Sequence, residues 1–248
     1  MIDLHTHILP GIDDGPTDWD DSLALARALS QAGVTAVAAT SHMKPPTWDN
    51  RAEALTGLRV ELSQRLDEEG VRLQIHPGAE HWWCGAVLDR LVAGGGQTYG
   101  TGTAALLEFH PIEGPRLFEQ RLDRLWEHGI IIVLAHVERY KIFEGRDGFR
   151  RLARLVDKGL VAQVNLGSLG RGFSWSRGGA AKRMVQAGLI GLACGDCHRV
   201  KDVEPAYDRG LKALEKLGGT GVVERLLWRN PTRLLDGIEV DPWSPPQF

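Results

Sequence analysis

The residues of this chain able to do chemistry are histidines and acids, and they recur at one kind of place. His5 and His7 are separated by a single residue directly behind the apolar run 2–4. In an extended segment, residues two apart share a face, so the two imidazoles project side by side as a chelating pair. Asp13 and Asp14 follow in a loop that Gly11 and Gly15 let bend sharply, which brings carboxylate oxygens toward the same point. His42, Glu80, Glu108, His136, Asp196 and His198 each stand at or within a few residues of the end of a run of strand length. Scattered, solvated histidines have no reason to collect at strand ends. His76, His81, His110 and His128 read instead as surface residues or as supports behind the site.

Imidazoles and carboxylates in this number point to cations. The eight or nine donors exceed what one ion uses. At roughly three or four protein ligands per ion, with positions left for water and substrate, they suit two or three divalent metals sharing a bridging carboxylate. An oxygen-rich set with no committed thiolate favours Mn over Fe or Zn. Such a cluster turns bound water into hydroxide near neutral pH and clamps phosphoryl oxygens, which suits hydrolysis of phosphate esters.

The elements that must position these groups alternate. Strands are predicted over 2–4, 34–40, 72–75, 103–107, 130–135, 160–164 and 189–193. Helical patterns occupy 18–32, 51–69, 84–92, 115–128, 147–158, 180–187, 204–217 and 222–228, with Gly33, Gly70 and Gly129 as stops and a last short turn at Asn230-Pro231. Without hairpin signals, the alternation implies a parallel sheet. Its near-equal spacing over 248 residues favours a closed α/β barrel in a single domain, 1–248, over an open doubly wound sheet. In a barrel all strand C-termini open on one face, so the candidate ligands converge there.

Composition narrows the partners. A net charge of −3 leaves no basic footprint for nucleic acid or an anionic membrane. No apolar run approaches the roughly 18 to 20 residues that span a bilayer, and no basic leader precedes the first strand, so a cytoplasmic location without membrane insertion is expected. Cys84, Cys194 and Cys197 cannot pair evenly, in keeping with a reducing compartment. The CxxC spacing of Cys194 and Cys197 has no second pair, and these read as small buried residues beside the chemistry. Trp48, Trp82 and Trp83 sit where they can frame an entrance or pack.

Taken together, HTH at 5–7, SH at 41–42, GAE at 78–80, LLEF at 106–109, AHVERY at 135–140, QVNLGSL at 163–169 and GDCH at 195–198 resemble the PHP (polymerase and histidinol phosphatase) superfamily. More narrowly, the chain is similar to the bacterial manganese-dependent protein-tyrosine phosphatases of capsular polysaccharide synthesis, from the LPGIDDG loop to the terminal NPTRLL. The resemblance implies a distorted (β/α)7 TIM-like barrel with a trinuclear site. It implies His5, His7, Glu80 and Asp196 on one metal, Glu80, Glu108 and His136 on a second with Glu80 bridging, and Asp14, His42 and His198 on a third. Asp14 is preferred to Asp13 because it directly precedes the glycine. Arg139 falls where the family places an arginine facing the phosphate, a planar fork suited to an equatorial oxygen. A second family arginine has no clear counterpart, and Arg199 or Lys201 can stand in for it. The implied substrate is phosphotyrosine on a bacterial tyrosine kinase of polysaccharide export.

Two competing readings follow from the same residues. The metals can serve another phosphoester, such as histidinol phosphate, a nucleotide or DNA ends as in TatD-like nucleases, whose barrels also open with His-x-His; the acidic balance argues against DNA. Alternatively the site holds metal in a non-catalytic regulatory module, against which the completeness of the ligand set weighs.

Overall fold

Ten strands are found among the residues described, 1–170 and 177–240 of a computed structural model. The end of the glycine-rich turn, Arg171-Gly172, and the proline-rich tail beyond 240 lie outside the described residues. The strands are β1 (Ile2–Thr6), β2 (Ala36–Ala39), β3 (His42–Lys44), β4 (Trp48–Asp49), β5 (Gln74–Pro77), β6 (Glu80–Trp82), β7 (Ala104–Glu108), β8 (Ile131–Leu134), β9 (Val161–Asn165) and β10 (Ile190–Cys194). All seven predicted strands are present, and helices intervene as expected.

The pairing is parallel throughout, apart from a short antiparallel hairpin of β3 and β4. It differs from the single closed sheet expected from the spacing. The strands fall into a three-stranded sheet, β1-β2-β5, and a seven-stranded one, β10-β9-β8-β7-β6-β3-β4. The cause is local. Beyond the end of the second predicted strand the chain resumes after Thr40-Ser41 as β3, and beyond the third it resumes after Gly78-Ala79 as β6, so β2 pairs with β5 and β3 with β6. At the break, Thr40 turns inward: its backbone N–H donates to Thr6 O at 2.9 Å and its hydroxyl accepts from Thr6 N at 2.8 Å. A side chain at Gly78 would meet Thr40, Tyr99 and Ala38 at 3.1–3.3 Å, so the close approach favours glycine. At the other edge, β1 continues beside the end of β10: His7 N donates to Cys197 O at 3.0 Å and Asp196 N to His5 O at 2.9 Å.

Strands β2, β7, β8, β9 and β10 are buried along their whole length, on both faces, as in parallel sheets covered by helices. Helix Trp19–Gln31, capped by the Asp18 side chain accepting from Asp21 N, buries Leu23, Leu25, Ala26 and Leu29 against them. An inner apolar cluster of Leu4, Ala38, Tyr99, Leu106, Val133, Val161 and Leu192 forms a floor, sealed by Leu234 and Leu235. The side-chain period of two then places polar groups above it: Leu106 is followed by Glu108 on β7, and Val161 by Gln163 and Asn165 on β9.

The C-terminal helices depart from expectation. Instead of 204–217 and 222–228, the chain forms Val200–Glu204, a wide turn of helix Pro205–Gly210, Leu211–Glu224, a second wide turn Arg225–Arg229, and Asn230–Leu235. Gly219, at φ 71°, breaks the long helix. Gly210 lies against the Leu166 carbonyl, which an added Cβ would approach to 2.3 Å.

Candidate metal centre

The strand ends bring every candidate ligand together. His5 and His7 leave β1, His42 starts β3, Glu80 starts β6, Glu108 ends β7, and His136 follows β8. His42 and Glu80 are register partners. Asp196 and His198 follow β10, and Asp14 arrives from the loop after β1. His136 and Asp196 turn through left-handed backbone, φ 32° and 53°, a conformation disfavoured for residues with a Cβ and here tied to where their side chains point.

The donor atoms lie within ion-sharing distance. His5 Nε2 is 3.4 Å from Glu80 Oε1 and 3.3 Å from Asp196 Oδ1. His7 Nε2 is 3.4 Å from Glu80 Oε2, and His136 Nε2 is 3.2 Å from Glu80 Oε1. His42 Nδ1 faces Glu80 Oε2 at 3.2 Å and Glu108 Oε1 at 2.9 Å, while Asp14 Oδ1 is 3.5 Å from His42 Nε2 and 3.3 Å from His198 Nε2. Three groups among the described residues could each hold a cation: His5, His7 and Asp196; His42, Glu80 and Glu108; and His7, Asp14, His42 and His198.

Hydrogen bonds behind the rings fix which nitrogens face inward. Gln163 Oε1 is a pure acceptor that takes the His136 backbone N–H at 2.8 Å, so His5 Nδ1, at 3.1 Å, must be the donor to it. His5 Nε2 is thereby left with its lone pair toward the cluster. Asp13 acts likewise on His7: Nδ1–H donates to Asp13 Oδ2 at 2.9 Å. The His198 Nδ1–H donates to the Asp196 carbonyl at 3.0 Å. Gln163 in turn donates to Asn165, whose amide donates to Asp196 Oδ2 at 2.6 Å. Such outer partners are what metal-binding imidazoles use to hold tautomer and orientation.

Three of the inward atoms are left without a partner. His42 Nδ1, Glu80 Oε1 and Glu108 Oε1 are buried with no hydrogen bond, despite separations near 3 Å. Buried polar atoms left this way are costly unless a further group accepts their lone pairs, and divalent cations fit this donor set. The electrostatics agree. Burial would push Glu80 up, yet His5 and His136 hold it well below the usual carboxylate range. Burial is likewise outweighed at Asp14 by His198 and His42, and at Asp196 by His5 and Arg139. His7 lies well above the ordinary imidazole value, and His42 is raised to about 9, burial being overcome by Asp14 and Glu108. Without metal, His7 and His42 favour a proton that a cation would replace.

Arg139 Nη2 pairs with Asp196 Oδ2 at 3.0 Å and lines a cleft of about 620 Å3 with Asn165, Ser168 and Arg209. Arg199 and Lys201 are exposed at the start of helix Val200–Glu204, and neither lines this cleft. Burial drives the Cys194 and Cys197 thiols well above their ordinary pKa, which suits packing and disfavours a thiolate nucleophile. Trp83 packs on Phe118 at 4.9 Å, whereas Trp48 lies flat on His42, 4.8 Å between ring centres. Of the four remaining histidines, His81 is buried, with Nδ1 at 2.9 Å from the Leu106 carbonyl.

Sequence reasoning missed Asp13 and Gln163 as orienting groups, and Arg209 in the cleft. The first had a usable signal, an acid six residues after a ligand histidine in the same loop. Gln163, inside an apolar run, had one only as a polar residue where a buried strand was expected.

Residues 1–236 match the family described as capsular polysaccharide synthesis, CpsB/CapC. The tyrosine-protein phosphatase YwqE of Bacillus subtilis is 34% identical over 220 residues, covering 89% of this chain and 86% of the relative. The tyrosine-protein phosphatase CpsB of Streptococcus pneumoniae is 25% identical over 241 residues, covering 95% and 98%. A crystal structure from work on these two proteins, described as unique metal-dependent tyrosine phosphatases, matches with a TM-score of 0.89 at 32% identity over 100% of both chains. An organophosphorus hydrolase from Deinococcus radiodurans shares the fold alone, with a TM-score of 0.55 at 15% identity, over 94% of this chain and 92% of that one.

Proposed function

This chain belongs to the CpsB/CapC family of capsular polysaccharide synthesis, and on that premise we propose that it is a metal-dependent protein-tyrosine phosphatase. The observation that carries the reading is the inward ring of imidazole and carboxylate atoms in which His42 Nδ1, Glu80 Oε1 and Glu108 Oε1 lie about 3 Å from other ligand atoms, buried and without a hydrogen bond. We assign His5, His7, Glu80 and Asp196 to one cation, Glu80, Glu108 and His136 to a second with Glu80 bridging, and Asp14, His42 and His198 to a third. His42 faces both Glu108 and Asp14 through different ring nitrogens, which supports closely adjacent sites. Two or three divalent ions are assigned, Mn preferred for its tolerance of mixed oxygen and imidazole donors. The continuity of β2 with β3 and of β5 with β6, together with the β1–β10 contacts, supports treating the two sheets as one distorted seven-stranded barrel.

When bound, such ions lower the pKa of water and polarise phosphoryl oxygens. The protein supplies the rest. Gln163 and Asp13 keep His5 and His7 in the tautomers that present Nε2, and Asn165 steadies Asp196. Arg139, held by Asp196 at the edge of the cleft, offers its remaining N–H groups to a phosphate oxygen. Tyrosine leaves as a phenolate of pKa about 10, so no strong general acid is required. The substrate assigned is phosphotyrosine on a bacterial tyrosine kinase of polysaccharide export, met in the cytoplasm; no helix among the described residues is long and apolar enough to cross a membrane.

The test is release of phosphate from a phosphotyrosyl peptide by the purified, Mn-loaded protein. Turnover that is lost with a chelator, restored by Mn and abolished in His136→Ala is expected. Full activity in the presence of chelator would refute the reading.

A further inference from the structure

Strands β3 and β6 run one pleat beyond the ligands assigned above. His42 and Lys44 are two apart on β3, and Glu80 and Trp82 two apart on β6, so each pair shares a face. Register sets His42 beside Glu80, Trp82 beside Glu108, and Lys44 beside Trp48 across the hairpin. The result is a row of Trp48, Lys44, Trp82 and Glu108 beside His42 and Glu80, with Lys44 and both indoles partly exposed.

Lys44 is held in that row by its neighbours. Its Nζ lies 3.7 Å from the centre of the Trp82 ring and 5.9 Å from that of Trp48, whose indole is itself stacked on His42. The only carboxylate within ion-pair distance among the described residues is Glu108, at 3.7 Å. Two indole faces fix an ammonium in place without consuming its three donors. If Glu108 gives its charge to a cation, as the phosphatase reading requires, Lys44 is left as a fixed, partly shielded positive charge beside the cluster. Arg139 follows β8 and pairs with Asp196, with β7 and β6 standing between it and β3 in the sheet.

We infer that Lys44 is a phosphoryl-binding residue, presented by Trp82 and Trp48, that grips an oxygen of the substrate phosphate across β6 and β7 from Arg139. The inference rests on the phosphatase reading and deepens it. Neither the β3–β4 hairpin nor this lysine was expected from the sequence.

Inorganic phosphate is the probe. Its affinity is measured calorimetrically on Mn-loaded wild type, Lys44→Met, Lys44→Gln and Lys44→Arg, and as competitive inhibition of p-nitrophenyl phosphate hydrolysis, with Mn per chain determined on each sample. Loss of one charged contact predicts roughly tenfold weaker phosphate binding in the Met and Gln variants, recovery to within about threefold in Arg, and unchanged Mn content. Wild-type phosphate affinity in the Met and Gln variants would overturn the role of Lys44 while leaving the phosphatase reading intact. Loss of Mn in parallel with phosphate would also overturn it, since Lys44 would then act by holding Glu108. A wild type that neither binds phosphate nor hydrolyses the ester would overturn both.

Discussion

Replacing Asp13 by alanine should damage the metal centre although Asp13 is assigned to no metal. Its Oδ2 accepts from His7 Nδ1 at 2.9 Å and from the His42 backbone N–H at 3.0 Å, and its Oδ1 accepts from Gly15 N at 3.0 Å. The carboxylate thus holds two assigned ligands and the turn that delivers Asp14. Loss of an outer partner of a ligand histidine costs about 10- to 100-fold in metal affinity. The charge-assisted bond together with two orphaned amides makes roughly 2–4 kcal/mol of folding stability, or about 5–15 °C in melting temperature for a chain of this size. The pH dependence carries a sign. Asp13 sits at about 2 against an ordinary 3.8, burial being outweighed by His7. Its contribution is therefore present above 3.8 and lost as pH falls through 2, so the wild-type and Asp13→Ala metal-free chains should converge by about 2 kcal/mol over that window. Asp13→Asn should fall between the two, because its amide keeps one acceptor for His7 but turns donors toward Gly15 N. Metal titration by calorimetry and denaturant unfolding at several pH values measure these effects. A Mn affinity for Asp13→Ala within twofold of wild type would refute the orienting role.

Other perturbations follow from the same contacts. Gln163→Leu removes the acceptor shared by His5 and His136 and should lower kcat about 10- to 100-fold, with Mn affinity falling in parallel; an unchanged kcat would contradict it. Arg139→Lys keeps the charge but loses the fork, so kcat/KM on a phosphotyrosyl peptide should drop by about tenfold or more, and equal kinetics would remove Arg139 from the phosphate. His42 is raised to about 9 in the metal-free chain. Its stabilising effect there is full below 6.5 and lost as pH rises through 9, whereas each pH unit gained up to 9 should strengthen apparent Mn binding by up to about tenfold as proton competition fades; a flat pH profile of Mn affinity would be inconsistent. Gly210→Ala forces a Cβ to 2.3 Å from the Leu166 carbonyl and should cost about 2 kcal/mol or more, read as a lower unfolding midpoint.

The legible parts of the sequence were those set by periodicity. Apolar runs marked all seven strand segments, and residues at or within a few positions of their ends, His7, Glu108, His136 and Asp196, are among those the fold draws together. The break at Thr40-Ser41 was hidden because Val34 to Thr40 and His42 read as one strand and its end, whereas inward hydrogen bonds to Thr6 divide it. The two-residue strand Trp48–Asp49 is too short to carry an alternation, and Pro45-Pro46 before it reads as a loop. Helix boundaries near Gly210 and Gly219 depend on tertiary approach to Leu166 and on a positive φ, neither of which has a periodic signature. Asp13 and Asp14 are indistinguishable by type; the loop's path turns one behind His7 and the other toward His42 and His198.

The account stands on several cations sharing one bowl of side chains, and anomalous diffraction from crystals of the Mn-loaded protein tests that most directly. It predicts at least two peaks in contact with Glu80, one reached by His5 and Asp196 and another by His136 and Glu108. A bowl without anomalous signal, or a single ion touching only the surface carboxylate of Asp14, would contradict it.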